Sequence, residues 1–144
     1  MIYEILYNKN HLLSIVFNEF EFLTGAVHGY TSERGMIINT ESGIVMSVKD
    51  FFKPDSDWKT TINKILIKKS QEFELLEEFK GMDDSMDFYI TETGMCFSWD
   101  PYMYTPYALG IFMLEIPYSD LDDILQDEFS FLIDKSVDKS IINE

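Results

Sequence analysis

The side chains that most often carry chemistry are sparse in this chain. It has two histidines, His11 and His28, and a single cysteine, Cys96, which the flanking apolar residues predict to be a buried strand residue. These three do not match a zinc site, which needs three or four nitrogen or sulfur ligands at defined spacing. The sequence also contains no H-E-x-x-H, G-x-S-x-G or phosphate-loop motif. We therefore expect no metal, no cofactor and no enzymatic activity.

Carboxylates are the one reactive group present in excess. A glycosidase needs only two of them, and the best placed are Asp83, Asp84, Asp87, Glu92 and Asp100. Nothing in the sequence indicates that the pKa of one carboxyl is raised, as an acid catalyst requires. The D-D-x-x-D spacing of the first three also suits calcium, although it has no EF-hand glycine. A solvated loop is the favoured interpretation.

The net charge restricts the class of partner. The chain has 26 acidic and 11 basic residues, which gives a formal charge of −15 over 144 residues. This excess argues against nucleic acid and anionic membranes as ligands, and against a hydrolase of anionic wall polymers. A negative surface would instead accelerate the capture of a basic protein. Solubility alone is the competing explanation.

A run of aromatic residues at positions 99–107, here called the aromatic arm, is the best candidate for a binding surface. Its rings could fill a pocket on a partner, and its carboxylate could pair with arginine or lysine. The competing interpretation is that these rings close the core. The predicted partner-binding residues are Trp99, Asp100, Tyr102, Tyr104, Tyr107 and His28.

The exposure of these rings can be predicted from their neighbours. We expect Trp99, Tyr102 and Tyr104 to be exposed, whereas Tyr107 and Tyr118 each adjoin a proline and are expected in the core. For His28, a hydrogen bond to a backbone carbonyl in a tight turn is the favoured role, and ligand recognition is the alternative.

Hydrophobic periodicity predicts the elements that must position the arm. Short apolar runs joined by turn residues predict antiparallel strands, of which the second does not alternate cleanly and is expected to be bulged or buried on both faces. The arm's prolines exclude it from a central strand. Helical spacing begins at Trp58 and continues, with a break near residues 70–71, to an end at Gly81. Ser119 is placed to cap a second helix that begins near Asp120. Gly94 is expected to supply the positive φ of one hairpin turn, and residues 40–43 are predicted to form a four-residue hairpin loop with Gly43 at its end. The predicted strands are 3–7, 12–22, 36–39, 44–48, 88–90, 95–99 and 111–116.

The predicted fold class is α+β: an antiparallel β-sheet with one long helix inserted midway and a second helix near the C-terminus. At 144 residues with 46% apolar content, the chain can bury one core. We expect a single domain at 1–134 and a tail at 135–144. No run of about 18 apolar residues is present, so we expect no membrane insertion. Charge near the start also excludes the apolar core of a signal peptide.

Two segments follow the pattern of a known domain family. Residues 23–30, LTGAVHGY, are similar to its T-G-G-A-H-G segment, and residues 94–121 follow its course from a turn glycine through a P-Y-A-x-G segment to I-P-Y-x-x-L. The chain resembles the C-terminal domain of the anti-sigma factor RsiV, which is also found in the peptidoglycan deacetylase PdaC and in other bacterial envelope proteins. The matching residues are Gly94, Phe97, Tyr102, Pro106, Tyr107, Ala108, Gly110, Ile116, Pro117, Tyr118 and Leu121.

The resemblance implies a non-catalytic recognition domain. In RsiV the domain is the receptor for lysozyme, so the expected function is to capture or inhibit a basic peptidoglycan hydrolase, as an envelope sensor or an immunity-type inhibitor. The alternative is a module for carbohydrate or peptidoglycan fragments, in which the same tyrosines would stack on sugar rings. The resemblance implies an extracytoplasmic location, whereas a native short form without a signal peptide would be cytoplasmic.

Overall fold

The computed structural model describes residues 1–133, which form two antiparallel sheets and one main helix. The α+β class is therefore confirmed, although with two sheets rather than one. None of the helices in this part of the chain is long and apolar enough to cross a membrane. The strands are β1 (Ile2–Lys9), β2 (Leu12–Glu21), β3 (Tyr30–Asn39), β4 (Val45–Met46), β5 (Asp87–Ile90), β6 (Gly94–Trp99) and β7 (Phe112–Pro117), and the helix is α1 (Trp58–Ser70). Four 3₁₀ helices span Val48–Phe51, Tyr107–Leu109, Tyr118–Leu121 and Asp127–Leu132.

The first sheet has the strand order β1-β2-β3-β4. The β1–β2 turn is formed by Asn10 and His11, both with positive φ. Because the side chains of β2 alternate, Leu12, Ser14 and Val16 are buried on one face while their neighbours stay partly exposed. The predicted hairpin loop 40–43 is confirmed between β3 and β4, and Gly43 at its end has a φ of 75°.

The second sheet has the order β5-β6-β7 and confirms the strands predicted at 88–90, 95–99 and 111–116. The role predicted for Gly94 is wrong, because its φ is not positive. Glycine is needed there for space: a Cβ would lie 2.4 Å from the backbone oxygen of Ile116. Glycine is therefore required at this position because the neighbouring backbone comes too close for any side chain.

Helix α1 covers the second sheet through Ile62 and Leu66, which are fully buried. The predicted continuation to Gly81 is wrong, since the helix ends at Ser70. The next residues include four glutamates, and the helix dipole disfavours negative charge near a C-terminus. The amide of Leu76 donates instead to the carbonyl of Tyr104 at 2.8 Å, so this irregular segment binds the aromatic arm.

The predicted second helix is also wrong. Two 3₁₀ helices, Tyr118–Leu121 and Asp127–Leu132, stand in its place, and Ser119 makes no capping bond. Between them the chain pairs with the segment before α1: Leu125 bridges to Phe52, and the Gln126 amide donates to the Phe51 carbonyl at 2.9 Å. The apolar residues predicted for one helix face are nevertheless buried: Leu121, Ile124, Leu125, Phe129 and Leu132. The predicted tail, 135–144, lies outside the described residues.

Candidate functional site

The aromatic arm leaves β6 and returns to β7 as an irregular but hydrogen-bonded loop. The Tyr102 amide donates to the Thr105 carbonyl at 2.9 Å, and the Met103 amide donates to the Asp100 carbonyl at 3.2 Å. Tyr102 has a φ of 72°, which is unfavourable for a residue other than glycine. Strain of this kind persists only where surrounding contacts fix the backbone, and it concentrates at functional sites. The loop therefore holds Tyr102 in one defined orientation.

His28, Tyr102 and Tyr107 form one group at the surface, here called the exposed cluster. The His28 ring stacks on Tyr107 with centroids 3.9 Å apart. Its Nδ1 lies 2.9 Å from the Gly29 carbonyl oxygen, which can only accept, so Nδ1 carries the proton. Its Nε2 then accepts from the Tyr102 hydroxyl at 3.0 Å. The predicted carbonyl bond of His28 is confirmed, and the same side chain also joins the arm.

The connection between β2 and β3, residues 22–29, brings His28 to the arm and carries exposed apolar residues. Phe22, Leu23 and Val27 are exposed there, Val27 almost completely at 97%. Tyr102 is 52% exposed on the arm itself. Exposed apolar residues next to an exposed aromatic ring are a common feature of protein interaction sites. In the sequence, the spacing of these connection residues does not distinguish them from core residues, so their exposure could not be predicted.

Asp100, which the sequence predicts to pair with a cationic residue of a partner, has its carboxylate bound within the chain. Arg34 donates to it from both Nη1 and Nη2 at 3.1 Å, and the Glu33 amide donates at 3.2 Å. The hydrogen bond to Asp100 is the main cause that raises the pKa of Arg34. Asp87 accepts from Arg34 at 3.2 Å and from the Gly35 amide at 2.9 Å. Asp100 thus attaches the start of the arm to β3, and Asp87 attaches the start of β5 to the same strand.

Sequence reasoning missed Arg34 in this arrangement. It is the single arginine among the 11 basic residues of the chain. Only an arginine offers a planar fork of donors that can engage two carboxylates at once. A lone arginine is the one feature of the sequence that could have indicated this role. Its two carboxylate partners, however, lie 53 and 66 positions away along the chain.

Trp99 and Tyr104 are buried, at 1% and 8% exposure, so the prediction that they are exposed is wrong. Both rings pack edge-on against Phe79 in the core, with centroids 4.9 and 5.1 Å from it. The predicted burial of Tyr118 is confirmed, whereas Tyr107 is only half-buried. Of the predicted arm residues, Tyr102 and Tyr107 therefore face the surface with His28.

Asp83 accepts the polar hydrogens of the two buried rings. The Trp99 indole N–H and the Tyr104 hydroxyl each donate to it at 3.3 Å, and Ser85 donates through its amide at 2.8 Å and through its hydroxyl. Partial burial raises the pKa of Asp83, but the hydrogen bonds from Ser85, Trp99 and Tyr104 outweigh it, so the pKa is lowered. The charged carboxylate of Asp83 thus holds the aromatic arm in place.

We expect Asp83 to stabilise the fold in a pH-dependent way. Because its folded pKa lies below the usual 3.8, its stabilising effect is complete above that pH and is lost as the pH falls through the folded pKa. Urea denaturation of the wild type and Asp83→Asn should differ at pH 7 and converge in acid. Asp84→Asn, at an exposed neighbour, is the matched control. A difference that stays constant down to the lowest pH would contradict the role of the charge.

Cys96 is buried between the two sheets, as predicted. Burial, followed by the nearby Glu115 and Glu33 carboxylates, raises the pKa of its thiol to about 12. A thiol of this kind stays protonated at neutral pH and is a poor nucleophile. Within residues 1–133, no three histidine, cysteine or acidic side chains are grouped so that they could hold a metal ion.

The chain is thus an α+β domain with a candidate surface site where the aromatic arm meets the β2–β3 connection. Residues 49–119 match the sequence profile of a protein family of unknown function, DUF3298. The chain therefore contains a DUF3298 family domain. It is 28% identical over 151 residues to the peptidoglycan-N-acetylmuramic acid deacetylase PdaC of Bacillus subtilis, a match that spans 99% of this chain and 32% of that protein.

Two crystal structures of DUF3298 family proteins share the fold. The one from Bacteroides fragilis matches with a TM-score of 0.71 at 19% identity, over 90% of this chain and 54% of that chain. The one from Pseudomonas aeruginosa matches with a TM-score of 0.63 at 18% identity, over 88% and 61%. The chain thus spans about a third of PdaC and little more than half of each solved relative.

Proposed function

We propose that this domain is a non-catalytic binding module that captures or inhibits a basic peptidoglycan hydrolase such as lysozyme. The observation that carries the proposal is the exposed cluster: Tyr102 and Tyr107 lie on a loop that is already ordered, and His28 joins them from the β2–β3 connection. Tyrosines present large, partly apolar rings at a small cost in side-chain entropy, and they are frequent hot spots of protein interfaces.

The order of the arm favours tight binding. Association is opposed by the entropy lost when loops and side chains are fixed. Here Arg34 fixes Asp100 at the start of the loop, backbone hydrogen bonds fix the turn, and stacking fixes the ring of Tyr107. Tyr102 can therefore enter a cleft of the partner without further ordering of the loop.

The charge of the domain complements a basic partner. A net charge of −15 produces a negative field that accelerates the approach of a cationic protein, by about 10 to 10³-fold at low salt. Asp100 does not supply this attraction, because it is neutralised by Arg34. The field of the whole domain supplies it, so salt should slow the association, whereas the contacts of Tyr102 should determine how slowly the complex dissociates.

The relatives support a partner in the bacterial envelope. PdaC is named for a peptidoglycan substrate. The resemblance to the RsiV domain supports a hydrolase of the same polymer as the partner. Gene context separates the two forms of the proposal: a neighbouring sigma factor favours an envelope sensor, and a neighbouring toxin favours an immunity-type inhibitor.

Calorimetry with hen lysozyme tests the proposal. We expect saturable binding at low salt that weakens at physiological salt, and a Kd at least about tenfold higher for Tyr102→Ala, since hot-spot truncations cost about 2 kcal/mol or more. Tyr3→Ala is the matched control, because Tyr3 is an exposed tyrosine on β1 outside the arm. Equal affinities of the two variants would contradict the assigned contact. Absence of heat even at low salt would exclude lysozyme as the partner.

A further inference from the structure

A groove lined by other residues lies between the β3–β4 loop, the segment that leads into α1, and the start of the last 3₁₀ helix. It has a volume of about 630 Å³ and is open to solvent. Trp58 and Phe52 form its apolar wall, and Asn39, Lys49 and Glu128 contribute polar groups. None of these residues belongs to the exposed cluster, so the groove is a second candidate site.

The apolar wall is a rigid, planar platform. The indole of Trp58 lies parallel to the ring of Phe52, with centroids 5.3 Å apart and an angle of 14° between the planes. Phe52 is fully buried, so it fixes the orientation of the indole from beneath. Trp58 remains partly exposed where it lines the groove. The groove therefore offers an aromatic face to the flat side of a ring-shaped ligand.

The polar groups around this platform still have capacity to bind. Within residues 1–133, the indole N–H of Trp58, the ammonium of Lys49 and the carboxylate of Glu128 have no hydrogen-bond or ion-pair partner. Asn39 accepts from the amides of Glu41 and Ser42 through Oδ1, at 2.9 and 3.1 Å, which leaves its Nδ2 as a donor. The groove thus combines several donors with a strong acceptor beside one aromatic face.

This combination selects a class of ligand. Phosphate-bearing ligands are disfavoured by Asp50 and Glu128 in the groove and by the net charge of −15. A purely apolar ligand would leave the donors and the carboxylate unpaired when it displaced water. A pyranose has an apolar face, and each of its hydroxyls can both donate and accept. We propose that the groove binds a saccharide, with one pyranose ring on Trp58 and its hydroxyls bonded to Lys49, Asn39 and Glu128.

The two tryptophans of the chain provide a direct experiment. Trp58 lies in the groove, whereas Trp99 is buried in the core at 1% exposure and reports on folding. Tryptophan emission is titrated with chitotetraose and cellotetraose, and calorimetry gives the affinity for the wild type, Trp58→Ala, Glu128→Gln and Tyr102→Ala. Near-ultraviolet circular dichroism of Trp99 verifies that each variant is folded.

We expect a saturable change of emission with at least one of the two oligosaccharides. Trp58→Ala should raise the Kd by about tenfold or more, since stacking on an aromatic ring contributes about 1 kcal/mol and hydrogen bonds to the indole N–H are lost as well. Tyr102→Ala should bind the saccharide like the wild type. No binding of either oligosaccharide would overturn the inference, as would binding that Tyr102→Ala abolishes and Trp58→Ala leaves intact. Neither result bears on lysozyme binding, which is measured separately.

Discussion

Replacing Phe79 by alanine is expected to lower the free energy of unfolding by about 3 to 5 kcal/mol, the usual cost of truncating a buried phenylalanine. Phe79 is 5% exposed and lies at the centre of the aromatic core. Its ring meets Trp99, Tyr104 and Phe112 edge-on, with centroids 4.9, 5.1 and 5.8 Å away. The cavity would open next to Tyr104 and Trp99, which both belong to the aromatic arm. The near-ultraviolet circular dichroism of Trp99 should therefore change as well.

Phe73→Ala is the matched control for this experiment. It removes the same side chain from the same irregular segment, but Phe73 is 48% exposed and touches the core mainly through Phe112 at 5.4 Å. We expect a loss of about 1 kcal/mol for it, because partly exposed positions leave only a small cavity. Urea denaturation of both variants gives the comparison. Equal losses would show that Phe79 is not the central contact.

The strands of the second sheet could be predicted from the sequence because local signals agree there. Short runs of apolar residues lie between a turn glycine and prolines, and each of these features acts within a few residues. The same holds for the start of α1 at Trp58. Where a strand or helix is determined by residues close to it in the sequence, the sequence pattern predicts it correctly.

The ends of the helices could not be predicted in this way. Phe73, Leu76 and Phe79 have helical spacing, yet Leu76 bonds to Tyr104 and Phe79 turns into the core. Likewise, the periodic apolar residues after Asp120 are buried by pairing with the segment before α1 rather than by one helical face. In both places a tertiary hydrogen bond replaces a helical one. The spacing of apolar residues does not indicate which distant residue will be the partner in such a bond.

The candidate site was predictable in its membership but not in its geometry. His28, Tyr102 and Tyr107 belong to the residues that the sequence selects, and they do meet, although His28 lies 74 positions from Tyr102. Trp99 and Tyr104 belong to the same run but face inward, because an aromatic ring suits a core and an interface equally well. Asp100 is neutralised by a distant arginine, a pairing that composition alone does not reveal.

Gly35→Ala is expected to lower the free energy of unfolding by about 3 kcal/mol, at the upper end of the cost of overpacking. Gly35 lies where β3 passes β5, and a Cβ there would stand 2.3 Å from the backbone oxygen of Phe88 and 2.8 Å from its carbonyl carbon. Backbone atoms cannot turn aside as a flexible side chain would. The two sheets must therefore separate locally to admit a single methyl group.

Gly43→Ala is the control, because a Cβ at Gly43 meets nothing within 4 Å and only its positive φ opposes alanine. We expect about 1 kcal/mol for that variant, the usual cost of a left-handed residue with a side chain. Thermal and urea denaturation compare the two. If Gly35→Ala cost no more than Gly43→Ala, the sheets could not be in tight contact at this point.

The same substitution should also impair the proposed binding site. The Gly35 amide donates to Asp87, the Glu33 amide donates to Asp100, and Arg34 between them bridges both carboxylates. When β3 moves away from β5, these bonds lengthen together, and Asp100 no longer fixes the start of the loop that holds Tyr102. Gly35→Ala should therefore weaken lysozyme binding even at temperatures where the variant is fully folded, whereas Gly43→Ala should not.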